Sequence, residues 1–94
     1  MTGIDFQGRY TLAPRVRLQM DAVSGDPVLL YPEGIVVLNS TAHEIVGRFD
    51  GKITLEEIVQ QLAEEYEESG ETIRQDVLET LTDLHRRNLI ALRS

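Results

Sequence analysis

The chain has 94 residues and no cysteine. That absence excludes a disulfide framework, a thiolate nucleophile, a zinc–thiolate centre and the usual ligation of an iron–sulfur cluster. No apolar run approaches the roughly 20 residues of a membrane-spanning helix. The opening residues, Met1-Thr2-Gly3-Ile4-Asp5, lack the basic-then-apolar order of a secretory signal. The expectation is a cytoplasmic protein that does not associate with membranes. Histidine is scarce: His43 and His85 fall on different predicted helices, and neither has a second ligand at the spacing of a metal-binding helix such as His-Glu-x-x-His. His85, near a helix C-terminus, is accounted for by the helix dipole. The glycines form neither Gly-x-x-x-x-Gly-Lys nor Gly-x-Gly-x-x-Gly, so nucleotide binding has no support. The adjacent carboxylates Glu56-Glu57 and Glu64-Glu65 occupy polar, solvated helix positions, which removes the reason to suspect acid–base catalysis. Neither an enzyme nor a cofactor is expected.

The composition that remains, 41% hydrophobic and 27% charged, is that of one small globular domain. The net charge of −7 is unevenly placed, because between Glu44 and Asp83 twelve acidic residues face three basic ones. Most of these carboxylates are solvated helix faces that aid solubility, and together they repel a phosphate backbone. The one basic cluster, Arg86-Arg87 with Arg93 beyond, sits where a helix C-terminus favours cations. Nucleic acid is therefore not an expected partner.

Two apolar runs, Val28–Tyr31 and Ile35–Leu38, flank Pro32-Glu33-Gly34 and predict a β-hairpin, with Gly34 at positive φ closing a three-residue loop with a bulge. Residues 15–21 alternate, with Val16, Leu18 and Met20 on one face, and predict a half-buried strand. Ser24-Gly25-Asp26-Pro27 joins it to the hairpin and makes a meander. Residues 1–14, with Gly3, Gly8 and Pro14 and no sustained period, predict a flexible N-terminal arm ahead of a domain over 15–92.

Three helices follow. The first starts at Asn39, Ser40 or Thr41, carries Ala42, Ile45, Val46 and Phe49 on one stripe, and stops at Asp50-Gly51 after about ten residues. The second opens with the capping box Thr54-Leu55-Glu56-Glu57 and has the clearest period, through Ile58, Val59, Leu62 and Tyr66. Glu67-Glu68-Ser69-Gly70 breaks it, and the third runs from about Glu71 to Asn88 with Ile73, Val77, Leu81 and Leu84 inward. Residues 89–92 read as a short extended segment. The order predicts an α+β fold of winged helix-turn-helix type, a three-stranded antiparallel sheet followed by three helices.

In a meander the third strand lies at the sheet edge, and Ile35 to Leu38 are apolar at consecutive positions. An edge of that kind accepts another strand, so β-augmentation by a peptide, on which Val36→Pro would delete an edge donor, is one reading, and the residues favour it no more than cover of the edge from within the chain or by a second subunit. The alternatives are cover by the first strand or the arm, a homodimer that covers the edge by itself, and a winged-helix nucleic-acid binder, which the acidic helices oppose.

Arg17-Leu18-Gln19, Val28-Leu29-Leu30-Tyr31-Pro32-Glu33-Gly34, Leu38-Asn39-x-Thr41-Ala42, Phe49-Asp50-Gly51, Ile58-Val59 and Asp76-Val77-x-x-x-Leu81-x-x-Leu84 together resemble the PqqD family of coenzyme PQQ synthesis, over roughly residues 14–92. Met20, where that family usually has an aromatic residue, and the acidic second helix depart from its pattern. The resemblance implies a peptide chaperone, a recognition element for ribosomally made and modified peptides. It would bind the precursor peptide PqqA as an added strand against the third helix and present it to the radical SAM enzyme PqqE. It also implies Ile35, Val36, Val37 and Leu38 for backbone pairing and apolar contact, with Asp76, Val77, Leu78, Leu81 and His85 from the third helix.

Overall fold

A computed structural model describes residues 3–93. Along the chain come β1 (Tyr10–Leu12), β2 (Arg17–Met20), β3 (Pro27–Tyr31), β4 (Gly34–Val37), α1 (Ser40–Val46), α2 (Leu55–Tyr66), α3 (Gly70–Arg86) and β5 (Ile90–Leu92). β2, β3 and β4 form the antiparallel meander in that order, and the three helices follow it, so the α+β architecture is as the sequence predicts. One face of the sheet, with Leu18, Leu29, Tyr31 and Val36, packs on the helical layer through Ile45, Ile58, Leu62, Val77, Leu81 and Leu84.

Residues 3–14 differ from the flexible arm predicted over 1–14, of which residues 1–2 lie outside the described residues. Tyr10–Leu12 pairs antiparallel with β5, and Tyr10 is buried and stacked on Phe49 with ring centroids 6.1 Å apart. Phe6 and Gly8 use their carbonyls to accept the N–H groups of Glu56 and Leu55, at 2.8 and 3.0 Å. These donors belong to the first turn of α2, which has no intrahelical partner for them. The segment is thus fixed by chain far from it in sequence, which local periodicity does not report.

Several boundaries move for identifiable reasons. Val16 donates its N–H to the Ala13 carbonyl at 3.1 Å, closing a turn with Pro14 second and Arg15 third at φ 73°, so β2 begins only at Arg17. Met20, expected inward, is 52% exposed at the far end of β2. At the hairpin Tyr31 pairs directly with Gly34, leaving a two-residue loop, Pro32-Glu33. Positive φ among the glycines is confined to Gly25 and Gly51, so Gly34 does not close a bulged loop as expected. Asn39 caps α1 by accepting the Ala42 N–H at 2.7 Å, and α1 ends at Val46. Phe49 therefore lies beyond the helix whose stripe it was expected to extend. Glu67, at φ 55°, takes the left-handed position after α2, while Ser69 caps α3 and Gly70 is its first residue. Asn88, at φ 62°, ends the last turn of α3, where the Leu89 N–H returns to the Leu84 carbonyl at 3.0 Å.

The capping box of α2 forms as predicted: Thr54 accepts the Glu57 N–H at 3.2 Å and the Glu57 carboxylate accepts the Thr54 N–H at 2.8 Å. Just before it, one Asp50 carboxylate oxygen accepts the N–H groups of Ile53 and Lys52, both at 2.8 Å. These bonds hold both carboxyls below the ordinary carboxylate range, Glu57 through the Thr54 N–H and hydroxyl, Asp50 through the Ile53 and Lys52 N–H groups. A depressed folded value stabilises the native state above the unfolded pKa and ceases to do so as pH falls through the folded one. The urea midpoint is therefore expected to hold steady down to about pH 5 and to fall below about pH 4. Thr54→Ala is expected to cost about 1 kcal/mol at neutral pH and to flatten that decline, since its cap bond and the anchor of Glu57 go together. A variant as stable and as acid-sensitive as the parent, by urea titration at pH 7 and pH 3.5, would contradict this assignment.

Candidate functional site

Among the described residues β4 is an edge strand, paired with β3 on one side only. Its register decides which groups are free. Tyr31, Leu30, Leu29 and Val28 face Gly34, Ile35, Val36 and Val37 in turn, and Leu38 donates its N–H to the Pro27 carbonyl at 2.9 Å. Residues opposite one another in an antiparallel ladder alternate between bonded and non-bonded pairs. Leu38, Val36 and Gly34 thus bond inward to β3, and Ile35 and Val37 direct their N–H and C=O groups to the open edge. Val36, expected to supply an edge donor, instead holds the hairpin together.

The side chains alternate with the same parity. Val36 is half-buried and Leu38 buried on the helical side, while Ile35 and Val37 are 54% and 63% exposed on the outer face. Beside the edge, a groove of about 150 Å³ separates β4 from α3 and the start of α1, lined by Val36, Val37, Leu38, Asn39, Ala42, Thr80, Asp83 and Leu84. The groove thus lies on the helical side of the edge, and Ile35 and Val37 on its outer side.

The third helix contributes differently from the expectation. Val77 and Leu81 are wholly buried among the core residues and have no surface to offer a peptide. At 3.6 residues per turn, Asp76, Thr80, Asp83 and Arg87 fall within an arc of about 60°, on the groove side, and Leu78 and His85 fall on the opposite flank. Both are exposed there, away from β4. Of the helix positions named from the sequence, only Asp76 shares the groove's stripe, and it lines a shallow concavity with Glu71, Thr72 and Gln75 nearer the start of α3. Thr80 and Asp83, not named from the sequence, are the polar residues that α3 brings to the groove itself, beside Asn39 from the start of α1. The signal that finds them is the core stripe: once Val77, Leu81 and Leu84 are assigned inward, the residues one step round the helix must flank it.

The exposed polar face of α3, with Glu71, Asp76 and Glu79, repels phosphate groups, which opposes the groove-reading role of a winged-helix recognition helix. Among the described residues no group of three or more His, Asp or Glu is arranged to hold a metal ion, and no helix is long and apolar enough to cross a membrane.

Comparison with known proteins gives a consistent answer. The family model described as coenzyme PQQ synthesis protein D matches residues 27–90. A protein named PqqA binding protein from Xanthomonas axonopodis pv. citri is 38% identical over 98% of this chain and 100% of its own length. Another of that name, from Xanthomonas campestris pv. campestris strain B100, is 42% identical over 82% of this chain and 84% of its own. In solution, the PqqD truncation of Methylobacterium extorquens PqqCD, described as a functional, stand-alone recognition element for ribosomally synthesized and post-translationally modified peptides, superposes with a TM-score of 0.77 at 30% identity, covering 87% of each chain. The crystal structure of PqqD from Xanthomonas campestris gives 0.58 at 39% identity, over 84% of this chain and 88% of that one. With its meander, its three helices and the Tyr-Pro-Glu-Gly hairpin inside the matched region, the chain belongs to the PqqD family.

Proposed function

We propose that this protein is a peptide-binding chaperone of PQQ biosynthesis that takes up the precursor peptide PqqA as a fourth strand on β4 and presents it to the radical SAM enzyme PqqE. The observation that carries the reading is the free edge of β4. Ile35 and Val37 offer main-chain donors and acceptors in one row, next to a groove that receives alternate side chains. The names and descriptions of the relatives, PqqA binding protein and peptide recognition element, supply the class of ligand. The role is binding and positioning, and no chemical step falls to this chain.

The test is a titration of isotope-labelled protein with synthetic PqqA peptide. The amides of Ile35 and Val37 are expected to shift and to gain protection from hydrogen exchange, as is Thr80 to a lesser degree, whereas Val36, already bonded, changes its exchange little. Perturbations that avoid β4 and gather on α2 would sink the edge-strand reading. Glu64→Ala, an exposed change on α2, is expected to leave affinity within twofold and serves as the control. A second copy of the chain could pair with the same edge, since Ile35 and Val37 are exposed. Sedimentation with and without peptide separates a monomeric carrier from a dimer that the peptide dissociates.

A further inference from the structure

The Tyr-Pro-Glu-Gly hairpin tip and the basic cluster at the end of α3 take no part in the strand-addition site, yet the fold brings them together. A cleft of about 490 Å³ opens between the tip (Tyr31, Pro32, Glu33), the Pro14–Val16 turn and the end of α3 (Arg87, Asn88). The charged residues lining it are Arg15, Arg87 and Glu33, and Asp83 outside the lining is paired with Arg87, so Arg15 is the cation left without a paired carboxylate. Arg87 is steadied by Asp83, Nε to Oδ2 at 3.2 Å, and stays about half exposed. Arg15 makes no ion pair and no side-chain hydrogen bond among the described residues. It also occupies the third position of its turn at φ 73°, where glycine or asparagine is the unstrained choice. The residue that this turn accommodates least well therefore carries the uncommitted charge.

The cleft lies toward the hairpin-tip end of the groove beside β4, although the two share no lining residue. Asp83 and Leu84 line the groove, and Arg87 and Asn88, just past the end of α3, line the cleft. On the hairpin, Val36 borders the one and Glu33 the other. A strand paired with Ile35 and Val37 must leave the sheet at this end. We infer that the cleft receives an acidic side chain of the bound precursor peptide, from the residues that flank the β4-paired segment, and so fixes the peptide's register; this rests on the strand-addition reading above. A guanidinium pair at the end of an otherwise register-tolerant strand site gives one position along the peptide a fixed partner. Glu33, on the lip, disfavours acidic residues placed one step out of register.

The experiment measures binding by calorimetry at low and moderate salt, using PqqA peptide and an analogue in which its Glu and Asp side chains are replaced by Gln and Asn. Wild type is expected to bind the amide analogue about tenfold more weakly, with the difference shrinking as salt rises. Arg15→Gly is expected to bind both peptides alike, at the level of wild type with the analogue. Its thermal midpoint should not fall, because glycine relieves the turn. Arg87→Gln should show the same loss of discrimination. Equal affinity of wild type for the two peptides overturns the inference, as does an Arg15→Gly that weakens both peptides equally. Val37→Pro separates the two readings. If it weakens both peptides while wild type discriminates between them, both readings stand; if it weakens both and wild type does not discriminate, only the cleft fails. If Val37→Pro binds as wild type does, strand addition fails and the inference falls with it, as both do if wild type binds neither peptide.

Discussion

Val37→Pro is expected to reduce affinity for PqqA peptide by about 10- to 100-fold while leaving the protein folded, whereas Val36→Pro, one residue earlier, is expected to unfold it. The contrast follows from register alone. Val37 lies opposite Val28 in a non-bonded pair, so its N–H points away from β3, and proline there removes a donor that nothing in the monomer uses. The ring also projects where an added strand must come. One lost charge-neutral bond and a steric block are together worth about 1.5–3 kcal/mol of binding, which gives the stated range. Val36 faces Leu29, whose side chain is fully buried, and its N–H belongs to the ladder that holds the hairpin closed. Proline there breaks an internal bond and strains the inner face of a three-stranded sheet. Far-UV circular dichroism with calorimetry decides the matter: a folded Val36→Pro that has lost affinity, beside a Val37→Pro that binds normally, would reverse the assignment of the two strand faces.

Leu81→Ala is expected to lower stability by about 2–5 kcal/mol, a large part of the roughly 5–15 kcal/mol available to a domain of this size. Leu81 is fully buried at the centre of α3, between the sheet and the other helices, and truncation leaves a cavity that a close-packed core cannot collapse around. At several degrees per kcal/mol, the thermal midpoint should drop by on the order of 10–30 °C. The variant also tests the placement of the site. With Leu81 in the core, peptide affinity measured at 10 °C, where the folded state still dominates, is expected to stay within about threefold of wild type. Thr80→Trp, its neighbour on the groove wall, is expected to do the opposite and block binding without loss of fold. A Leu81→Ala protein that is stable but no longer binds would return Leu81 to the binding surface.

The Arg48 side chain shows how little of the surface electrostatics bears on function. It donates to Glu65 at 2.7 Å, Glu44 at 3.1 Å and Gln61 at 2.8 Å, joining α1 to α2. This network raises the already high Arg48 pKa, first through the Glu65 hydrogen bond, and holds the Glu65 carboxyl below its ordinary range. Both carboxylates are about half exposed, so solvent screens most of the attraction and the network orients two helices more than it stabilises them. Much of the negative charge on α2 is taken up in such contacts, including Glu56 with Arg74 at 2.7 Å.

Sequence by itself determined the elements that are specified locally. Alternation over residues 15–21, the two apolar runs around Pro32-Glu33-Gly34 and helical period assigned the meander and the three helices, and the Thr54–Glu57 box placed the start of α2, because each signal lies within a few residues of chain. Shared residues around Tyr-Pro-Glu-Gly identified the family for the same reason. Tertiary structure alone decided what depends on distant partners. Tyr10–Leu12 is a strand because β5 and α2 give it bonds, and nothing in residues 1–14 anticipates them. The parity of β4 was set by the two-residue loop at Pro32-Glu33, and a one-residue difference in loop length exchanges which residues face the edge. The hairpin's consecutive apolar residues announced an edge in search of a partner. Only the register, fixed by where the chain turns, assigned that edge to Ile35 and Val37 and left Val36 and Leu38 to the fold.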